Sequence, residues 1–229
     1  MIEKIITVSQ EPFRVSSLFR ELQDIAGEAV IPWHATGPEL KEKGLMWVVV
    51  RYEVNLSRKL VSEENLRLVT WASPVRHKLS QRNYLAYDGN GDCVIRAAGI
   101  WALADRESRA MVDPEERQVE FHAETNGMEP PRPGAPTRLI PINETSYTVS
   151  EDVLDMNGHM NNTRYFDLAQ DLAGKELEVR CIRQIRAVYS NEARLGDRLS
   201  VRWGREQEDW LFNGERNGDA CFQISFHTA

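Results

Sequence analysis

Asp155, Asn157 and His159 stand at alternate positions in Asp155-Met156-Asn157-Gly158-His159, just ahead of an apolar helical pattern, and a lone Glu192 follows in the next strand-like run. Carboxylate, carboxamide and imidazole gathered in this way are the groups of general acid–base chemistry and of charge stabilisation. Each residue alone also has a plainer reading. Asp and Asn before a helix commonly cap it or close an Asx turn, a histidine can be a satisfied half-buried ring, and Glu192 beside Arg194 and Asp197 can be a solvated strand-end charge.

An internal repeat favours taking them together. Thr7-Val8-Ser9, followed by Gln23-Asp24-Ile25-Ala26-Gly27, returns as Thr148-Val149-Ser150, followed by Gln170-Asp171-Leu172-Ala173-Gly174. The second copy is longer, and its extra residues fall in the interval that holds Asp155, Asn157 and His159. The polar cluster is therefore an addition to a repeated scaffold. Further on, Arg67-Leu68-Val69-Thr70-Trp71 has a loose echo in Leu199-Ser200-Val201-Arg202-Trp203, and Asn90-Gly91-Asp92 returns as Asn217-Gly218-Asp219. Only two copies this long indicate a duplicated domain and not a solenoid. Proline concentrated in Glu129-Pro130-Pro131-Arg132-Pro133-Gly134-Ala135-Pro136 marks a linker at 116–142, between an N-terminal domain over 1–115 and a C-terminal domain over 143–229.

Val15, Leu18, Phe19, Leu22, Ile25, Ala26 and Ala29 follow the spacing of a helix with one buried face, with Ser16 or Ser17 as its cap. Strand-forming runs cover Met46 to Tyr52, Leu66 to Ala72, Leu79 to Tyr87 and Val94 to Ala104, with a turn at Asp88-Gly89-Asn90-Gly91. The second half repeats the plan. Tyr165, Leu168, Ala169, Leu172 and Ala173 form a shorter helix ended by Gly174, then strands near 182–190, 198–206, 209–215 and 220–227. A lone helix of this length is marginal in water, so each half must fold its sheet around its own helix. Joining two such sheets edge to edge would remove one open edge from each.

Composition excludes several classes. The 229 residues are 41% hydrophobic and 28% charged, an ordinary globular balance. A formal charge of -7 speaks against nucleic acid as the main partner. No apolar run is long enough for a membrane helix, and the chain opens without a secretory pattern, so a cytoplasmic protein is expected. Cys93, Cys181 and Cys221 fit neither a disulfide framework nor a zinc knuckle. No metal, nucleotide or other cofactor is called for: the P-loop, the dinucleotide fingerprint and the nucleophile elbow are missing. A calcium loop is disfavoured because Met160 stands where glycine is needed and Phe166 where the bidentate glutamate should be.

Asp155-Met156-Asn157-Gly158-His159-Met160-Asn161-Asn162-Thr163-Arg164-Tyr165 and Tyr189-Ser190-Asn191-Glu192-Ala193, with Gly44-Leu45-Met46-Trp47-Val48 and Trp101-Ala102-Leu103-Ala104-Asp105, resemble the acyl-acyl-carrier-protein thioesterases, and a bacterial member in particular. The resemblance covers nearly the whole chain. It implies an α+β tandem (double) hotdog, each half a long antiparallel sheet wrapped around one helix, with catalytic Asp155, Asn157, His159 and Glu192. Plant members often carry Cys where this chain has Ala193, so thiol catalysis at that position is excluded.

For thioester hydrolysis, the resemblance makes Glu192 the general base. Asn157, His159 and the helix N-terminal amides would stabilise the oxyanion, and Asp155 would orient Asn157 or His159. The substrate implied is a fatty acyl chain on acyl carrier protein. Docking of that acidic partner would draw on Arg180, Arg183, Arg186, Arg194 and Arg198, and Trp47, Trp71 and Trp101 could line an acyl tunnel in the first half. A homodimer is compatible with this plan. A thioesterase acting on coenzyme A esters, a hotdog dehydratase and a noncatalytic acyl-binding protein remain as alternatives.

Overall fold

A computed structural model describes residues 1–8, 13–124, 127, 131, 133–178 and 180–229. The chain divides into two compact units: Met1–Thr7, Arg20–Val54 and Glu64–Pro133 form the first, and Val8–Phe19, Asn55–Glu63 and Gly134–Ala229 the second. In chain order the elements are β1 (Ile2–Thr7), α1 (Val15–Ala29), α2 (Gly37–Glu42), β2 (Leu45–Leu56), β3 (Asn65–Ala72), β4 (Leu79–Tyr87), β5 (Cys93–Asp105) and β6 (Met111–Val112). There follow β7 (Asn143–Thr148), α3 (Arg164–Ala173), α4 (Lys175–Glu178), β8 (Ile182–Tyr189), β9 (Arg198–Glu206), β10 (Asp209–Arg216) and β11 (Asp219–Thr228). Among the described residues no helix is long and apolar enough to cross a membrane.

The sequence repeat is a repeat of topology. In the first unit the strands lie in the order β1-β3-β4-β5-β2, with β6 on β5; in the second the order is β7-β9-β10-β11-β8. The matched landmarks occupy matched places. Thr7 and Thr148 are the last residues of β1 and β7. Asn90-Gly91 and Asn217-Gly218 turn the β4–β5 and β10–β11 hairpins, with Gly91 and Gly218 at φ 87° and 89°. Ser9, Pro130 and Arg132 lie outside the described residues.

The α1 face is as the spacing requires: Val15, Leu18, Phe19, Leu22, Ile25, Ala26 and Ala29 are all buried. Its cap is not. The helix starts at Val15, ahead of both serines, and the Val15 amide donates to Gln170 Oε1 at 2.8 Å. Gln170 Nε2 donates in turn to the Phe13 carbonyl (3.1 Å), and the Ser16 hydroxyl donates to Asp167 Oδ1 (2.6 Å). A side chain distant in sequence thus serves one orphan amide of the first turn, and the Ser16 hydroxyl ties the helix to α3 instead.

In α3 the buried face is Tyr165, Phe166, Ala169 and Gln170, while Leu168 and Leu172 are only half-buried. The stripe is rotated from the expected one because Phe166 stacks on Phe19 with ring centroids 4.0 Å apart, and Tyr165 lies on Phe222 of β11 at 4.6 Å. Aromatic area outweighs leucine here, as large rings bury more surface. Gly174 ends the helix at φ 59°, as expected.

Candidate active site

The residues from Asp155 to His159 form a closed turn before α3, and Asp155 is its centre. Its amide donates to the His159 carbonyl (2.7 Å), and its own carbonyl accepts from Gly158 (3.0 Å). Its Oδ1 accepts the amides of Asn157 (2.8 Å) and His159 (3.1 Å), and the Asn157 carboxamide lies 3.5 Å from Oδ2. Gly158 closes the turn at φ 77°, in the left-handed region where any other residue would be strained. A short polar side chain inside a tight turn accounts for Asp155 at this spacing.

A second loop, between β8 and β9, meets this turn edge on. His159 and Arg194 form an antiparallel bridge, and the Met160 amide donates to the carbonyl of Ala193 at 2.8 Å. Ala193 is fully buried, so the position that carries cysteine in plant members of the resembled family is here a packing residue. Tyr189 donates from its hydroxyl to the Asn162 carbonyl (3.2 Å). Burial pushes the Tyr165 and Tyr189 hydroxyls well above the usual phenol range, so both stay neutral anchors.

The far end of the β8–β9 loop is fixed by Asp197. Its Oδ2 accepts from the Arg194 amide (2.8 Å) and from Arg216 Nη1 on β10 (2.6 Å), and the Val149 amide reaches its carbonyl (2.9 Å). Burial works against the Asp197 charge, but the Arg194 amide and the Arg216 guanidinium outweigh it and hold the carboxyl below its ordinary range. Neither Asp197 nor Arg216 stands out in the sequence, since a charge at a strand end is usually solvated.

These anchors bring His159 Nε2 to 3.0 Å from Glu192 Oε2, with the histidine side chain 12% and the glutamate 34% exposed. Arg194 Nη2 lies 3.7 Å from the same oxygen. A carboxylate facing Nε2 requires a hydrogen on that nitrogen, so the ring donates and Glu192 accepts. A half-exposed carboxylate held by a shielded imidazole can take a proton from water while the ring keeps it oriented.

The helix N-terminus is not available in the way the sequence suggests. α3 begins only at Arg164, and six of the amides on the way to it are already engaged. Those of Asn157 and His159 go to Asp155 Oδ1, Gly158 to the Asp155 carbonyl, Met160 to Ala193, Asn161 to Val153 and Thr163 to Asn161 Oδ1. Of the arginines expected to dock an acidic partner, Arg180 is paired with Glu208 at 2.9 Å, Arg183 and Arg186 donate to the carbonyls of Ser57 and Ala135, and Arg198 is exposed.

A sequence model of the acyl-ACP thioesterase N-terminal domain matches residues 8–120, and one of the C-terminal domain matches residues 140–221. A palmitoyl-acyl carrier protein thioesterase of Arabidopsis thaliana is 26% identical over 137 residues, which cover 56% of this chain and 33% of that protein. A homologous protein of Gossypium hirsutum with the same description is 25% identical over the same span. The chain thus spans about a third of the length of the curated relatives it matches.

Among solved structures, an acyl-ACP thioesterase from Bacteroides thetaiotaomicron superposes with TM-score 0.79 at 20% identity, over 99% of this chain and 98% of that one. A 12:0-ACP thioesterase from Umbellularia californica gives 0.82 at 14%, over 100% and 96%. At such identities the likeness is one of fold, and the fold is the double hotdog.

Proposed function

Since this chain belongs to the acyl-acyl-carrier-protein thioesterase family, we propose that it hydrolyses the thioester of a fatty acyl chain carried on acyl carrier protein, with Glu192 and His159 as its central pair. The 3.0 Å approach of His159 Nε2 to Glu192 Oε2 carries the reading, because it gives the acid a fixed partner inside a loop pair built from four separate anchors.

In this reaction Glu192 accepts a proton from a water molecule as the water oxygen attacks the thioester carbonyl carbon. Negative charge gathers on the former carbonyl oxygen, where the Asn157 carboxamide is a donor and His159 Nε2 becomes one as protonation of Glu192 releases its hydrogen. Collapse expels the thiolate, which takes up the proton that Glu192 received, and leaves the free fatty acid. Asp155 contributes by holding the turn that carries Asn157 and His159, a positioning task. The acyl chain is assigned to the N-terminal domain over 1–115, beyond the linker at 116–142, and the chemistry to 143–229. Carrier docking is assigned to the arginines of the second half, of which Arg194 and Arg198 are exposed.

A thiol-release assay with the same acyl chain on carrier protein and on coenzyme A, followed for enoyl product as well, tests this reading. Faster thiol release from the carrier-protein ester is expected. Preferential turnover of the coenzyme A ester would move the assignment to that substrate, enoyl formation would make the protein a dehydratase, and binding without turnover would make it an acyl-binding protein.

A further inference from the structure

Arg194 stands beside the His159–Glu192 pair with its donors unfilled. Its Nη2 lies 3.7 Å from Glu192 Oε2, the oxygen that also faces His159, and its side chain is 58% exposed. That separation is an ion-pair approach and not a hydrogen bond, and among the described residues the guanidinium closes none. An exposed pair of this kind adds little to stability, so the fold gains little from the placement.

The backbone of Arg194, in contrast, is fixed. Its amide donates to Asp197 Oδ2 (2.8 Å), its carbonyl accepts from the Asp197 amide (2.9 Å), and the bridge to His159 sets it beside the turn of Asp155. Gly196 completes the Arg194–Asp197 turn at φ 80°. Leu195 in this turn is 60% exposed, and Met156 in the turn of Asp155 is 77% exposed. The two loops of the site thus present one cation and two apolar side chains to solvent.

A thioester that covers Glu192 also covers the guanidinium, because the two side chains are within ion-pair reach. Once water is displaced, N–H groups without acceptors are costly, so whatever covers them has to supply oxygen. The fatty acyl side offers only methylene groups. On the thiol side, the arm common to acyl carrier protein and coenzyme A carries an amide just past a short ethylene link from the sulfur. Its carbonyl comes within reach of a group that touches the base, whereas the phosphate at the far end of the arm does not.

We propose that Arg194 binds the amide carbonyl next to the sulfur, with Leu195 and Met156 against the methylene groups of the same arm. The guanidinium then holds the leaving group through a charge-assisted hydrogen bond while Glu192 and His159 act. This role depends on the thioesterase reading, and it moves Arg194 from the carrier surface to the arm.

Calorimetric titration of the whole protein with two thioethers, which cannot be hydrolysed, tests the subsite. S-octyl-N-acetylcysteamine keeps the amide, and octyl hydroxyethyl sulfide stops short of it. Wild type should bind the first at least about tenfold more tightly, as a hydrogen bond from a charged donor implies. Arg194→Met should bring the first down to the level of the second, whose affinity stays as it is. Arg194→Lys keeps the charge and should retain part of the preference. Equal affinity for the two thioethers in wild type, or a preference that survives Arg194→Met, would overturn the subsite and leave the hydrolase reading in place. Binding of neither thioether would count against both. A preference that depends on Arg194, in a protein that releases thiol from no ester, would keep the subsite and remove the hydrolase reading.

Discussion

His159 and Glu192 are 33 residues apart in the chain, yet an imidazole nitrogen of one lies 3.0 Å from a carboxylate oxygen of the other. The contact is held by the backbone. The His159–Arg194 bridge and the Met160-to-Ala193 hydrogen bond fix the two loops against each other, so the side chains meet without either having to search for its partner.

Asp155 should matter less to turnover than the pair it supports. Asp155→Asn keeps one oxygen able to accept the Asn157 and His159 amides, so its kcat should fall by less than about tenfold, the worth of roughly one neutral hydrogen bond. Thiol-release kinetics check this. A loss as large as that in His159→Ala would assign Asp155 a direct part in the chemistry.

Asp197 makes part of the stability depend on pH. Its carboxyl titrates lower in the folded chain than in the unfolded one, so its contribution is present above the unfolded value of about 4 and disappears as pH falls through the folded value. Thermal unfolding of wild type and Asp197→Asn should therefore differ at neutral pH and converge in acid. A gap that stays constant down to pH of about 2 would contradict the role given to Arg216.

Gln170 joins α3 to the start of α1 through one donor and one acceptor, at 7% exposure. Gln170→Leu leaves the buried Val15 amide unpaired and should cost about 1–3 kcal/mol in denaturant unfolding. An unchanged midpoint would show that water replaces the carboxamide.

The sequence made much of this visible, and the exceptions share a cause. α1 and the eight longer strands are legible because a burial period of 3.6 or a run of strand formers stands out without knowledge of the partner. β7 does not stand out. Asn143-Glu144-Thr145-Ser146-Tyr147-Thr148 has almost no apolar pattern, and it is a strand because its backbone pairs with β9. The α3 face was misjudged for a similar reason, since Phe166 is drawn inward by Phe19, which is distant in sequence.

At the site, residue types and spacing marked Asp155, Asn157 and His159, and Glu192 stood out as a lone acid in the next strand-like run, but its part as the base was legible only through family resemblance. The Asp197–Arg216 tie depends on a contact between the β8–β9 loop and β10, which no local pattern encodes. The amides after Asn157 illustrate the reverse: a general property of helices suggested them, and those of Asn157 and His159 are taken up by Asp155 ahead of α3.

The most direct measurement is a double-mutant cycle on thiol release from an acyl-carrier-protein ester, with Glu192→Gln, His159→Ala and the two combined. Each single variant should lose roughly 10²–10⁴ in kcat, and the combination should lose little more than the worse of them, as groups acting through one contact do. Losses that multiply, or wild-type turnover in either single variant, would contradict a catalytic unit formed by these two side chains.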